Sequence, residues 1–312
     1  MKIMITGGSG FVGSHLVDSM LSADNEIMVV TRSNQKEKNL FDAFSKISIK
    51  NVDITDYKKF GEIIDEYTPD MVVHLAGETS HSSSFENPLD NVDSNAKSTL
   101  FILEKIRQMN QNCKLILGST FVVVGKPLEL PVNEESQCNP TTIYGANRLT
   151  SEYYCKIYEN VYGIDSRIFR ITNSFGPREQ LIPKKNAVNY LIYSAFKEKE
   201  ITIYNKGQFF RDLIYIHDVV SGIQTIIKNG KKGNLYWISS FKKTWFYELA
   251  EWLKVLTGAN IKYVESPNYT KKIDVGNFIA DNSKLKSLGW DPKFSVKEGI
   301  EQTIEYFESL KQ

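Results

Sequence analysis

Histidine is scarce in this 312-residue chain. The four present, His15, His74, His81 and His217, are scattered without metal-ligand spacing, so no zinc or other metal site is expected. Cysteine is scarcer still: Cys113, Cys138 and Cys155 are odd in number and lack ligand spacing. Reduced thiols in a cytoplasmic protein are the expectation. An excess of one charge is missing too. Lys and Arg total 38 against 37 Asp and Glu, a net +1; nothing supplies the basic field a phosphate backbone requires, and no nucleic-acid partner is expected. No apolar run approaches the ~18 residues of a membrane span, and Met1–Gly7 reaches glycine too early for a secretory leader. Internal repeats and low-complexity tracts are also absent. The basic doublets Lys184-Lys185 and Lys271-Lys272 read as solvated loop charge. What is present, 41% hydrophobic and 24% charged residues, fits one large α/β domain, or one with a smaller lobe.

Short β-branched runs alternate with amphipathic stretches through the first half. Strands are expected at Lys2–Ile5, Glu26–Val30, Ile47–Val52, Met71–Leu75 and Lys114–Leu117. Helices are expected at Phe11–Ser22, Tyr57–Glu66 and Asn95–Met109. Strands separated by helix-length segments cannot pair as hairpins, so they predict right-handed parallel βαβ units. The expected fold is therefore a Rossmann-like, doubly wound parallel sheet with a smaller C-terminal mixed α/β lobe. The second half is less regular. A helix at Asn147–Tyr162, a strand at Ser166–Ile171, a loop over Asn173–Pro183, a strand at Asp212–Ile216 and a helix at His217–Lys228 are expected. The pieces Ile201–Tyr204, Leu235–Ile238, Phe246–Leu256, Ile261–Val264 and Val296–Leu310 are assigned to the lobe. The division places residues 1–172 and 208–232 in a dinucleotide-binding domain, and residues 173–207 and 233–312 in the lobe.

The first strand runs into Thr6-Gly7-Gly8-Ser9-Gly10-Phe11-Val12-Gly13, with glycines at G-x-x-G-x-x-G spacing. Gly7 permits the tight turn, Gly10 admits a pyrophosphate to the backbone, and Gly13 packs the helix on the sheet. Ser9, Phe11 and Val12 complete a helix N-terminus whose free N–H groups favour an anion. Strand before and helix after raise this above a lone glycine motif. The second strand ends Val30-Thr31-Arg32-Ser33, without the carboxylate that holds the ribose hydroxyls of NAD. Arg32 could instead pair with a 2′-phosphate, aided by the hydroxyls of Thr31 and Ser33. The expected cofactor is thus NADP or NAD, with NADP favoured; the alternative for Arg32 is a solvent-exposed loop residue.

Further landmarks follow in order: Asp53 after the third strand, His74-Leu75-Ala76-Gly77 after the fourth, Asn95, Ser119-Thr120, Tyr144-x-x-x-Arg148, Arg170-x-x-Asn173-x-x-Gly176-Pro177, Arg211-Asp212 and Leu288-Gly289-Trp290. With the glycine turn they make the chain resemble, over nearly its whole length, the extended short-chain dehydrogenase/reductases of the nucleotide-sugar epimerase/dehydratase/reductase family. The resemblance implies catalytic roles for Thr120, Tyr144 and Arg148. Tyr144 would exchange a proton with a sugar oxygen while a hydride moves to or from the nicotinamide, and Thr120 would align that oxygen. A phenol with an ordinary pKa near ~10 needs a neighbouring cation for this. The family has Lys where this chain has Arg148, which keeps the charge but in a planar fork. Asp53 would meet the adenine, or else serve as a turn carboxylate. Ile54, Leu75, Ala76, Gly77, Thr79 and Asn95 would line the same cofactor site. Asn173, Arg211 and Lys272 would hold the diphosphate of a nucleotide-sugar substrate, with Ser84 near the sugar; the alternative for Arg211 is an ion pair with Asp212. His81 reads as an exposed loop histidine.

Members that eliminate water across the sugar carry an Asp-Glu pair directly after the Thr, where this chain has Phe121 and Val122. Neither can carry a proton, so a 4,6-dehydratase is disfavoured. The reading that remains is redox at C4 of a nucleotide-linked hexose. A 4-keto-sugar reductase comes first, a 4-epimerase retaining NAD second, and a catalytically impaired binding protein third. The resemblance also implies a homodimer, formed through helices at Asn95–Met109 and Asn147–Tyr162.

Overall fold

The computed structural model describes residues 1–21, 24–32, 38–40, 43–109, 112–181, 186–267 and 272–310. Ser22, Ser33, Pro183, Lys184, Lys185 and Lys271, named above, lie outside them. Seven strands form one parallel sheet: β1 (Lys2–Thr6), β2 (Glu26–Thr31), β3 (Ser48–Asn51), β4 (Met71–His74), β5 (Lys114–Thr120), β6 (Ser166–Ile171) and β11 (Leu235–Ile238). Their order is β11-β6-β5-β4-β1-β2-β3. The chain winds outward in both directions from the β1–β4 boundary, which opens a crevice at the carboxyl ends of the strands.

Helix packing on both faces explains the strand sequences. Ile3, Ile5, Val29 and Val73 enter one apolar core while Met4, Met28, Val30 and Val72 enter the other. Successive side chains alternate between two dry faces, so the strands read as unbroken hydrophobic runs. Helices α1 (Phe11–Met20) and α8 (Ile216–Asn229) pack together on the first face, whereas α2 (Tyr57–Tyr67), α5 (Ser98–Met109) and α6 (Ile143–Tyr162) contribute to the second core.

The lobe is built from small sheets whose partners lie far apart in sequence. Strand β8 (Glu200–Tyr204) pairs with β13 (Asn260–Val264), and β9 (Phe210–Arg211) with β12 (Thr244–Trp245). Helices α7 (Ala187–Lys197) and α9 (Phe246–Thr257) cover them, and the C-terminal helix Val296–Ser309 packs on α7.

Four expectations need correction. Leu235–Ile238, assigned to the lobe, is the edge strand of the main sheet beside β6; four buried apolar residues do not say which sheet they join. The segment expected as a loop from Asn173 begins with a strand, β7 (Asn173–Phe175), paired in parallel with β10 (Leu213–Tyr215). Helix α6 starts four residues earlier than expected, because the Thr142 hydroxyl caps it by accepting from Gly145 N at 3.0 Å. The stretch expected as one helix from Asn95 opens as a π-helical turn over Asp93–Lys97 and becomes α5 only at Ser98.

One carboxylate joins the sheet to the lobe. Asp212 Oδ1 accepts from Ser240 N at 2.9 Å, Ser240 Oγ at 2.8 Å and Thr172 Oγ1 at 3.3 Å, and Oδ2 accepts from Ala280 N at 3.2 Å. Burial pushes its pKa up to about 6, and those four donors pull it back only in part. A carboxyl with a raised folded pKa contributes most below its unfolded value and loses that contribution as pH rises through the folded one. The amide of Asp212→Asn cannot titrate. Between pH 4 and 6 the difference in unfolding free energy should therefore move by roughly 2–3 kcal/mol in favour of the variant. Denaturant unfolding at several pH values measures it, and a difference independent of pH would refute it.

Candidate active site

The crevice at the strand ends continues into the lobe as one cleft of about 1660 Å³. That exceeds the ~300–1,000 Å³ of ordinary small-molecule pockets and leaves room for two large ligands side by side. At its sheet end lies the glycine turn. Gly7 has φ +72, and a Cβ on Gly13 would stand 2.3 Å from Gly7 O, so helix and turn touch main chain to main chain. Gly7, Ser9, Gly10, Phe11, Val12 and Gly13 all face the cleft. The α1 N-terminus has no side-chain cap, which leaves its N–H groups for an anion.

The second-strand end differs from the expected 2′-phosphate clamp. Thr31 Oγ1 is engaged with Ser9 Oγ at 2.6 Å. Arg32 Nη1 lies 3.9 Å from Asp53 Oδ2, with the Arg32 side chain two-thirds exposed. Asp53 also serves its own turn, accepting from Thr55 N at 2.9 Å and Thr55 Oγ1 at 2.7 Å. Arg32, Asp53 and Ile54 line the cleft together. A dinucleotide fits here, since the turn faces the cleft and the helix N-terminus offers uncapped N–H groups to its pyrophosphate.

Leu75, Ala76, Gly77 and Thr79 carry the wall from β4 toward the centre. Gly77 has φ +152, and a Cβ there would lie 2.4 Å from both Arg148 Nη2 and Asn95 Oδ1. Asn95 sits beneath this wall rather than on it. Its Nδ2 donates to Glu78 O at 3.1 Å and Asn91 O at 3.0 Å, while its buried Oδ1 has no hydrogen-bond partner.

At the centre, Thr120 ends β5 and Tyr144 stands in the first turn of α6, both facing the cleft. One turn further, Arg148 is buried, its carbon centre 5.9 Å from the Tyr144 ring. Its fork donates from Nη1 to Gly118 O at 3.2 Å and from Nη2 to Ala76 O at 3.1 Å. Arg148 thus spans the ends of β4 and β5. Its charge is felt nearby: burial, and then the Arg148 guanidinium, hold the His74 imidazole down to about 3. Phe121 packs edge-on against Phe278 with centroids 5.1 Å apart, and Val122 is buried.

The lobe end of the cleft holds Asn173 and Arg211. Asn173 Oδ1 is buried without a hydrogen-bond partner. Arg211 pairs with Asp274, not Asp212, and lies over the Phe209 ring at 5.2 Å. Two expected substrate residues are elsewhere: Ser84 is fully buried and Lys272 is exposed, and neither lines the cleft. His81 begins a short helix, Ser80 being its cap, rather than lying in a loop. Asn39 is a residue that no sequence signal marked. Its Nδ2 donates to Ser9 O and to Arg178 O, each at 3.2 Å, linking the glycine turn to the segment after Pro177. A single Asn 30 residues past the turn carries no local motif.

Residues 4–303 match the GDP-mannose 4,6 dehydratase family. The chain belongs to that family. It is an enzyme of the extended short-chain dehydrogenase/reductase type. It is 29% identical to a putative UDP-glucose 4-epimerase of Methanocaldococcus jannaschii over 98% of each chain. The Thermotoga maritima UDP-glucose 4-epimerase, solved with UDP-glucose, superposes with a TM-score of 0.92 at 28% identity and covers 100% of both chains. The Thermus thermophilus UDP-glucose 4-epimerase, solved with NAD, gives 0.89 at 25% identity over 99% of each. Among the described residues no helix is long and apolar enough to cross a membrane, and no cluster of metal-ligating side chains occurs.

The family match and the position of Tyr144 generate a test. Tyr144→Phe should abolish turnover and leave nucleotide affinity nearly unchanged in a titration. Arg148→Met removes a charge and strands two buried carbonyls, an expected loss of roughly 2–4 kcal/mol of stability together with activity. Arg148→Lys keeps the charge but cannot span both strand ends. It should retain activity at a lower melting temperature; turnover indifferent to Arg148→Met would show that another group activates Tyr144.

Proposed function

We propose that this enzyme interconverts the C4 epimers of a nucleotide-linked hexose with an NAD that stays bound. The observation that carries the reading is the composition of the cleft's centre. Thr120, Tyr144 and Arg148 converge there, while the positions after Thr120 hold packed, aprotic Phe121 and Val122. Redox at one carbon needs one proton carrier, and elimination of water needs more. A bound nicotinamide supplies the hydride acceptor and donor. Tyr144 takes the proton from the C4 hydroxyl and returns it once the keto sugar has turned its other face. Thr120 holds the oxygen, and Arg148 keeps a positive charge beside the phenol. The diphosphate falls to Arg211, a buried cation of the lobe, and to the side-chain amide N–H of Asn173, both of which line the cleft.

Support for NAD comes from the second-strand end, where the expected anion clamp is partly spent. Thr31 is bonded to Ser9, and Arg32 is drawn toward Asp53. The full-length likeness to proteins named UDP-glucose 4-epimerase points the same way. A second reading, an NADPH-dependent 4-keto-sugar reductase, is favoured by the exposure of Arg32, whose long 3.9 Å contact with Asp53 a 2′-phosphate would outcompete. For a homodimer, the support is the exposed stripe of Tyr153, Ile157 and Val161 along α6.

Three outcomes are expected. The purified protein should carry nicotinamide absorbance through gel filtration and equilibrate UDP-glucose, or a related nucleotide hexose, with its 4-epimer without added reductant. It should form no 4-keto-6-deoxy sugar; that product would require a proton carrier the cleft's centre lacks. Arg32→Ala should affect NAD binding little, whereas a selective loss of NADPH binding worth about 1.5–3 kcal/mol would establish the reductase reading instead.

A further inference from the structure

Tyr144, Arg148 and Glu152 succeed one another at four-residue spacing along α6, so all three face the sheet. The last belongs to no motif. Glu152 is buried with Arg170 of β6 in a two-point ion pair, Arg170 Nε to Oε1 at 3.0 Å and Nη2 to Oε2 at 2.7 Å, with side-chain exposures of 2% and 3%. Glu152 Oε1 also accepts from Ser119 Oγ at 2.5 Å. Ser119 is the residue before Thr120. The Arg148 bond to Gly118 O one step earlier makes two consecutive ties between helix and strand.

We propose that Glu152 is a positioning residue that fixes α6 along β5 and so sets the approach of Tyr144 to Thr120. The proposal rests on the catalytic roles given above to those two residues. A hydroxyl–carboxylate contact alone would let the carboxylate swivel. Arg170 removes that freedom by holding both oxygens in the plane of its fork. Two further contacts steady Arg170: its Nη2 lies 3.2 Å from Cys138 Sγ, and its carbon centre lies 5.4 Å from the Trp237 ring. A buried ion pair of this kind adds little net stability against an apolar replacement. Its return here is directional: it fixes where the strand hydroxyl, and hence the next residue, must stand.

The test separates geometry from folding. Ser119→Ala deletes the tie to β5 and leaves the ion pair intact; Glu152→Gln weakens both. Ser119→Ala should lower kcat about 10-fold or more, the scale of a small misplacement in a reacting pair, with KM within about twofold of the parent. Adding Glu152→Gln should then lower kcat less than it does alone, since both act through one contact. Val122 N donates to Thr120 Oγ1 at 3.3 Å, so faster exchange of the Val122 amide in Ser119→Ala reports loosening of Thr120 directly. If the parent turns over, an unchanged kcat in Ser119→Ala overturns the proposal, whatever happens to the melting temperature. A parent without turnover would defeat the epimerase reading. The Val122 amide then decides alone: accelerated exchange supports the positioning role, and unaltered exchange overturns it.

Discussion

The guanidinium of Arg148 is the constraint on which the cleft depends. A parallel strand that stops beneath a ligand leaves its last carbonyls without a ladder partner, and a buried carbonyl left unpaired is costly. Arg148 donates to two carbonyls at once, Gly118 O within β5 and Ala76 O just past β4, from a helix that also carries the phenol. The sheet end, the helix and a positive charge are thereby held by one planar group. Gly77 follows from this arrangement. Nothing larger than hydrogen fits between the fork and Asn95.

This dependence explains how much of the molecule was legible in the sequence. The sheet was readable because β1, β2, β4 and β5 are largely dry on both faces, and glycine marked the place where helix and turn must touch. The glycine turn was visible as a local pattern at a strand end, and Thr120 and Tyr144 through the family resemblance. Asn39 and Glu152 were not, because their meaning is a contact with segments far along the chain. Leu235–Ile238 was misassigned for a related reason: its apolar residues say that it is buried, and only the partner strand says where. Ser84 and Lys272 were placed by resemblance alone, and their burial and exposure remove them from the cleft wall. The starts of α6 and of the turn before α5 were mistaken because periodicity cannot see a threonine cap or a π-turn.

Electrostatics divides the cleft into parts with different tasks. Arg32 and Asp53 sit where solvent reaches and bind each other loosely. Arg148 is buried and donates to two carbonyl oxygens. Arg211 is buried too, with Asp274 as its partner. An anionic ligand thus meets cations whose desolvation is already settled in the fold, and such preset charges act without reorganising when the ligand arrives.

The lobe's small sheets draw their partners from two separate excursions of the chain. Strand β8 pairs with β13 across roughly sixty residues, and between them the chain returns to the main sheet as β11. No contiguous segment contains the lobe. During synthesis, the first five parallel strands can find one another while the chain is still growing. The substrate side must wait until residue 264 has emerged, because its pairings close long loops before any burial rewards them. An arrested nascent chain of this enzyme would hold the nucleotide-binding crossover and an unfinished substrate half.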